Sequence, residues 1–160
     1  MDITHAVLAV LLLGGSAVQV PPTQHISVKL ASDATEVAPG GTIRLSVEIQ
    51  PDSKMAVFAA GSSEFKAVTL TLTSYRDVKV GRTKYPLARR KENPGNRKRV
   101  PLYDGAFTIE QPIIVSAKAK PGDVVNVIGF LRYQTCDDKI VYPEKRVPVR
   151  WAITVKAPSQ

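Results

Sequence analysis

From residue 26 onward, apolar side chains recur at every second position and almost nowhere at every third or fourth. Ile26, Val28 and Leu30 alternate with Ser27 and Lys29, and Ile43, Leu45, Val47 and Ile49 alternate with Arg44, Ser46 and Glu48. Val68, Leu70 and Leu72 are spaced by threonines, and Val147, Val149, Trp151, Ile153 and Val155 share one face of a long final run. Side chains of a strand point alternately to its two faces, so each run reads as a half-buried β-strand. Pro39-Gly40-Gly41, Pro51-Asp52-Ser53, Asn93-Pro94-Gly95, Asp104-Gly105 and Pro121-Gly122 punctuate the runs as turns. Further strands are expected near Ala56–Phe58, Val78–Val80, Phe107–Ile109, Ile113–Ser116 and Val124–Tyr133. The pattern predicts an all-β chain, an antiparallel β-sandwich of about seven to nine strands over residues 25–157. Pro148 falls inside a strand pattern, which places it on an edge or at an unpaired position.

The amino terminus has a different character. Ala6 to Leu13 is uninterrupted apolar sequence, followed by Gly14-Gly15-Ser16-Ala17 and then Pro21-Pro22. Such a run is too short to cross a bilayer of about 30 Å. A short apolar core followed by small residues reads as a secretory signal over residues 1–19, cut after Ala17 or Gln19. Met1 to His5 carries no Lys or Arg, a departure from the usual basic start. The reading implies a periplasmic or secreted protein that does not span the membrane once the signal is removed.

The net charge is +8, and most of the excess sits between Arg82 and Arg99. Arg89, Arg90, Lys91, Arg97, Lys98 and Arg99 fall in the segment 87–99, the longest break in the alternation, read here as a loop. A long loop in a compact sandwich is either a functional surface or a solvated, mobile one. As a functional surface it would bind an acidic protein or an anionic envelope polymer. Nucleic acid is not expected, because no aromatic lies between Tyr85 and Tyr103 to stack on bases.

The residues leave little room for catalysis. His5 goes with the signal and His25 stands near the mature terminus, so no base accompanies a serine or cysteine nucleophile. One cysteine and one histidine cannot make a zinc site, and no metal or other cofactor is expected. Asp137, Asp138 and Glu144 read as solvated turn residues. What remains is Cys136, in the polar stretch Tyr133-Gln134-Thr135-Cys136-Asp137-Asp138-Lys139. Its polar neighbours place the sulfur near the surface. Asp137 and Asp138 oppose the thiolate and Lys139 favours it, so the thiol should not be strongly activated.

The stretch Leu131 to Lys139 resembles the Tyr-Gln-x-Cys-x-Asp signature of the amino-terminal domain of the thiol:disulfide interchange protein DsbD. Tyr142-Pro143 and the strand Val147 to Val155 continue the resemblance, as do Val37 to Thr42, Met55 to Gly61, Tyr85-Pro86 and Val100 to Gly105. It covers about residues 25–156 and implies an immunoglobulin-like sandwich in the periplasm that exchanges disulfides with thiol proteins. Cys136 matches the first cysteine of the family's redox pair. The second is expected at Val141, where this chain has no sulfur. Without it a mixed disulfide cannot be resolved from within the chain. The family's acidic and aromatic cover over the site should fall in residues 87–99, which are basic and lack an aromatic, and Ala56 replaces a usual histidine.

The resemblance implies a degenerate domain that docks to a thioredoxin-like or other periplasmic thiol protein, or exchanges with it through Cys136. Tyr133, Gln134, Asp137, Asp138, Val141 and Tyr142 would shape the surroundings of that thiol. The alternatives are a binding module with no redox role that uses the basic 82–99 segment, and a homodimer linked through Cys136.

Overall fold

The computed structural model describes residues 23–73 and 76–157, so the expected signal over residues 1–19 lies outside the described residues. Twelve strand segments form among the described residues. They are β1 (Ile26–Ser32), β2 (Glu36–Val37), β3 (Thr42–Pro51), β4 (Ala56–Phe58), β5 (Thr69–Leu72), β6 (Val78–Val80), β7 (Arg89–Glu92), β8 (Arg99–Tyr103), β9 (Phe107–Val115), β10 (Val124–Tyr133), β11 (Thr135–Cys136) and β12 (Lys145–Val155). No described helix is long and apolar enough to cross a membrane.

Two sheets make the sandwich, with orders β1-β3-β9-β6 and β2-β12-β10-β5. In chain order these are the A-B-E-D and C-F-G arrangements of an immunoglobulin domain, with β2 added as a short parallel stub beside the end of β12. The expected immunoglobulin-like, all-β architecture is therefore the one observed. Period-two alternation explains the main core directly. Ile43, Leu45, Val47 and Ile49 of β3 meet Val125, Val127 and Leu131 of β10 and Val149, Trp151 and Ile153 of β12 in one buried cluster. The Trp151 indole N–H donates to the Ala31 carbonyl at 3.0 Å, so its one polar group is satisfied inside the core.

Two positions are set by the backbone geometry of the ladder. A Cβ at Gly129 would collide with the Thr71 carbonyl oxygen and lie 2.9 Å from Leu72 Cα, so only glycine lets β5 pair there. Pro148 faces Phe130 across the ladder, while β2 reaches only Thr154 and Val155 on the far side of β12. Its missing N–H falls where β12 has no second neighbour, as the sequence implied.

The sequence reading needs two corrections. Phe107–Ile109 and Ile113–Ser116 are one strand, β9, continuous through Gln111 and Pro112. Gln111 broke the apolar pattern, yet its buried amide is used. Its Nε2 donates to the Gly81 carbonyl at 2.8 Å and its Oε1 accepts from the Thr83 hydroxyl at 2.5 Å. Residues 87–99 are likewise not an open loop but carry β7, a turn and the start of β8. All four β7 side chains are exposed, so the strand is held by its backbone register and leaves no hydrophobic trace.

That hairpin belongs to a third sheet, of order β11-β4-β8-β7. β4 comes from the β3–β5 connection, β7 and β8 from the β6–β9 connection, and β11 from the β10–β12 connection. These connections all leave the same end of the sandwich, because Ile49 pairs with Phe107, Arg132 with Thr69 and Tyr133 with Lys145 there. The third sheet is thus a cap over that end. Its inner face gives Val57, Ala59 and Tyr103 to the main core. Its outer face builds a second cluster from Ala56, Phe58, Val100, Leu102 and Cys136.

Candidate functional site

Cys136 is a free thiol with only 2% of its surface exposed, which corrects the expectation of a surface sulfur. The reason is the cap. β11 pairs with β4, Cys136 opposite Ala56, and this turns the thiol onto the cap's outer cluster rather than to solvent. Phe65 and Val141 cover the cluster from outside, and Phe65 stacks on Phe58 with ring centroids 4.4 Å apart. The polar residues that suggested exposure all lie on the turn beyond.

That turn is built by Asp137. Its Oδ1 accepts from the backbone N–H groups of Lys139 and Ile140, both at 2.7 Å, and its own N–H donates to the Ile140 carbonyl at 3.1 Å. Tyr142 closes the unit, its N–H donating to the Thr135 carbonyl at 2.9 Å and its hydroxyl to Asp137 Oδ2 at 2.7 Å. The Lys139 N–H, the Tyr142 hydroxyl and the Ile140 N–H hold the Asp137 carboxyl below the usual carboxylate range. Cys136 and Val141 face each other across this turn as an antiparallel pair. Hydrogen bonds flank the pair on both sides rather than joining it, so it is of the close, non-hydrogen-bonded kind. Cys136 Sγ therefore meets a valine side chain.

Burial pushes the Cys136 thiol up to about 11, and the Asp137 carboxylate adds to the shift. The expected lack of activation is reinforced by the apolar cover. Nearby, a depression of about 320 Å³ is lined by Lys54, Met55, Lys91, Asp104, Asp137 and Asp138, with Cys136 in its wall. Lys91 bridges to Asp104 across its rim, and this contact holds the Asp104 carboxyl low. No group of His, Cys, Asp and Glu suited to a metal forms among the described residues.

The other expected site residues divide. Gln134 is a tie between layers. Its carbonyl accepts from the Phe58 N–H at 3.0 Å, its Oε1 from the Lys66 N–H at 2.8 Å, and its Nε2 donates to the Tyr142 carbonyl at 3.0 Å. Tyr133 points the other way, into the main core, where its hydroxyl pairs with the Gln24 backbone. Asp138 is exposed at the rim of the depression.

The basic residues sit on the β7–β8 hairpin, whose turn covers the Cys136–Val141 pair. Asn93 is 1% exposed and organises that turn, with Oδ1 accepting from the Gly95 and Asn96 N–H groups and Nδ2 donating to Asn96 Oδ1 and the Lys98 carbonyl. The turn packs so closely that a Cβ at Gly95 would sit 3.3 Å from Val141 Cγ2 and 3.4 Å from the Phe65 ring. Glu64 latches it from the opposite side, accepting from Asn96 and pairing with Lys98 at 2.6 Å. An aromatic does pack over the cluster that holds the thiol, but it is Phe65 and not a member of 87–99, and its acidic neighbour Glu64 is tied to the 93–98 turn. Sequence reasoning missed both, because residues 61–66 form no strand and Glu64-Phe65 carries no pattern of its own. Arg97 pairs with Glu92, whereas Arg89, Arg90 and Arg99 have no carboxylate within 4.0 Å among the described residues.

No protein-family model matches the chain, and no curated protein matches its sequence. Among solved structures, the N-terminal periplasmic domain of ScsB from Proteus mirabilis superposes with a TM-score of 0.53 at 14% identity, covering 88% of this chain and 50% of that one. The reduced N-terminal domain of Neisseria meningitidis DsbD gives 0.43 at 14% identity, over 81% of this chain and 86% of that one. The chain spans half the length of the ScsB domain, and identity this low establishes fold alone. The match to the ScsB domain thus agrees with the all-β sandwich expected from the sequence.

Proposed function

We propose that the chain is an exported thiol–disulfide-interchange-type domain whose electron relay is lost and whose cap end docks to a thioredoxin-like or other periplasmic thiol protein. The observation that carries this reading is the pairing of Cys136 with Val141. A dithiol reduces its target by forming a mixed disulfide and then resolving it with the second thiol. Here the first step alone can be written. Cys136, as thiolate, attacks one sulfur of the partner's disulfide, the partner's other sulfur leaves as a thiolate, and only that thiol can release the complex. The raised thiol and the cover of Phe65, Val141 and the 93–98 turn make even this step slow.

A second reading has its own support. Arg90 Nη2 donates to the Arg99 carbonyl at 2.7 Å and Arg99 Nη2 to the Arg90 carbonyl at 2.9 Å, so two guanidinium groups are pinned on the hairpin without neutralisation. Such a fork suits an acidic partner or an anionic envelope polymer, with no thiol chemistry involved.

One experiment separates the two. The probe is a periplasmic thioredoxin-like protein whose resolving cysteine is replaced by serine and whose remaining cysteine carries thionitrobenzoate in a mixed disulfide, so that attack by Cys136 expels the thionitrobenzoate thiolate and leaves the two proteins joined. Wild type should form a slow covalent complex and Cys136→Ser none, while both bind it equally without a covalent bond. Binding lost on replacing Arg89, Arg90 and Lys91 by Ser transfers the role to the hairpin. Disulfide turnover by the isolated domain, or equal covalent capture by Cys136→Ser, overturns the proposal.

A further inference from the structure

The outer face of the β2-β12-β10-β5 sheet carries an arrangement that folding does not require. Its inner side chains fill the main core, so its outer positions are free to be neutral and polar, as the threonines of β5 are. On β10 and β12 they include Arg132, Arg146 and Arg150 together with apolar Ile128, Phe130 and Pro148, beside Asn126 and Thr154. Arg132 lies directly opposite Arg146 in the ladder, and like charges in that position oppose pairing. Arg132 is relieved by Glu144 at 2.9 Å, while the Arg146 guanidinium lies 3.5 Å from the centroid of the Phe130 ring. Arg150, on the same face, is fixed by its Nε and Nη2 to Asn126 Oδ1 at 3.2 and 2.7 Å. Ile128, opposite Arg150, is 43% exposed, and Pro148, opposite Phe130, is exposed as well.

We propose that this face docks a protein surface with an apolar centre and an acidic rim. Arginine and aromatic side chains are the residues that carry most binding energy at protein interfaces, and here they are already held in place before any partner arrives. The occupant is fixed by charge. A second copy of this chain would set arginine against arginine on a molecule of net charge +8. A purely anionic polymer or a lipid headgroup would leave Ile128 and Pro148 without contacts. The face shares no residue with the Cys136 cluster, so the inference does not depend on the thiol reading.

The test is a nuclear magnetic resonance titration of the whole chain with a short peptide alternating Glu and Phe. Matched probes are a Lys/Phe peptide, polyglutamate and anionic vesicles of phosphatidylglycerol. The Glu/Phe peptide should shift the amides of Ile128, Phe130, Arg146 and Arg150. Affinity should fall at least about tenfold in Arg146→Glu/Arg150→Glu and in Ile128→Ser. The charge-reversed variant should gain the Lys/Phe peptide, and Cys136→Ser should bind as wild type. Unchanged near-ultraviolet signal from the buried Trp151 certifies the fold of each variant. Shifts confined to the β7–β8 hairpin, equal binding of polyglutamate or vesicles, self-association through this face, or no shift at millimolar peptide would overturn the proposal.

Discussion

Replacing Val141 by cysteine should create a disulfide with Cys136 without moving the backbone. The pair is antiparallel and close, and hydrogen bonds from Asp137 N–H to the Ile140 carbonyl and from Tyr142 N–H to the Thr135 carbonyl flank it. Such pairs hold their Cα atoms about 4.5 Å apart, inside the roughly 4.4–6.8 Å that disulfides span. The bridge would close a loop of about six residues, for which chain entropy gives a stabilisation of about 2 kcal/mol. For a domain of this size that corresponds to roughly 8 °C in Tm between the oxidised and reduced variant. The assay is thermal unfolding of purified Val141→Cys with and without reductant, beside thiol titration and intact mass. Full loss of both thiols as an intramolecular bridge and a reductant-sensitive Tm support the geometry. Two thiols that stay free under mild oxidant, or bridges that form only between molecules, would refute it.

Two further outcomes follow from the cover and from the thiol. Asn93→Ala removes four side-chain hydrogen bonds from the buried turn and should loosen it by about 2 kcal/mol, which makes Cys136 alkylation in the native state roughly 30-fold faster. Unchanged labelling would show that the turn does not control access. Because folding raises the Cys136 thiol from its ordinary 9.0 to about 11, its protonated form favours the folded state. That contribution is complete below about pH 9 and is lost as pH rises towards 11, by roughly 2 kcal/mol at pH 10.5. Urea unfolding of wild type and Cys136→Ala at pH 8 and pH 10.5 measures it as a change in their difference. A difference independent of pH would sink the assignment.

The sandwich was legible in the sequence because its strands are half-buried. β3, β10 and β12 alternate one buried residue with one exposed, and such alternation has no other common cause. The cap was legible only in part. Its strand β4 falls where a strand was expected, at Ala56–Phe58, but burial on both faces, Ala56 and Phe58 outward and Val57 inward, left no alternation to say that it joins a third sheet. β7 is exposed on both faces and reads as a charged loop. Cys136 was misplaced for the same reason, since its sequence neighbours belong to the turn while its spatial neighbours come from β4 and β8. What did carry through was one pairing of positions. The signature around Gln134 and Cys136, and the gap at Val141, named the facing pair before any register was known.

The facing pair also explains how a free thiol is accommodated inside the cap. A protonated thiol behaves as a small hydrophobe, and valine opposite it is a larger one. Together with Ala56, Phe58, Val100 and Leu102 they form a cluster in which every member is apolar. In such surroundings the thiolate is disfavoured, and the Asp137 carboxylate, fixed by its own turn, disfavours it further. With valine at 141, Cys136 is therefore part of the core of the cap. The elements that cover it (the Asn93 turn, the Glu64 latch and the Phe65–Phe58 stack) now act as packing. A surface kept rigid in this way is suited to the docking proposed above, and on that proposal self-contained disulfide exchange requires a second sulfur at position 141.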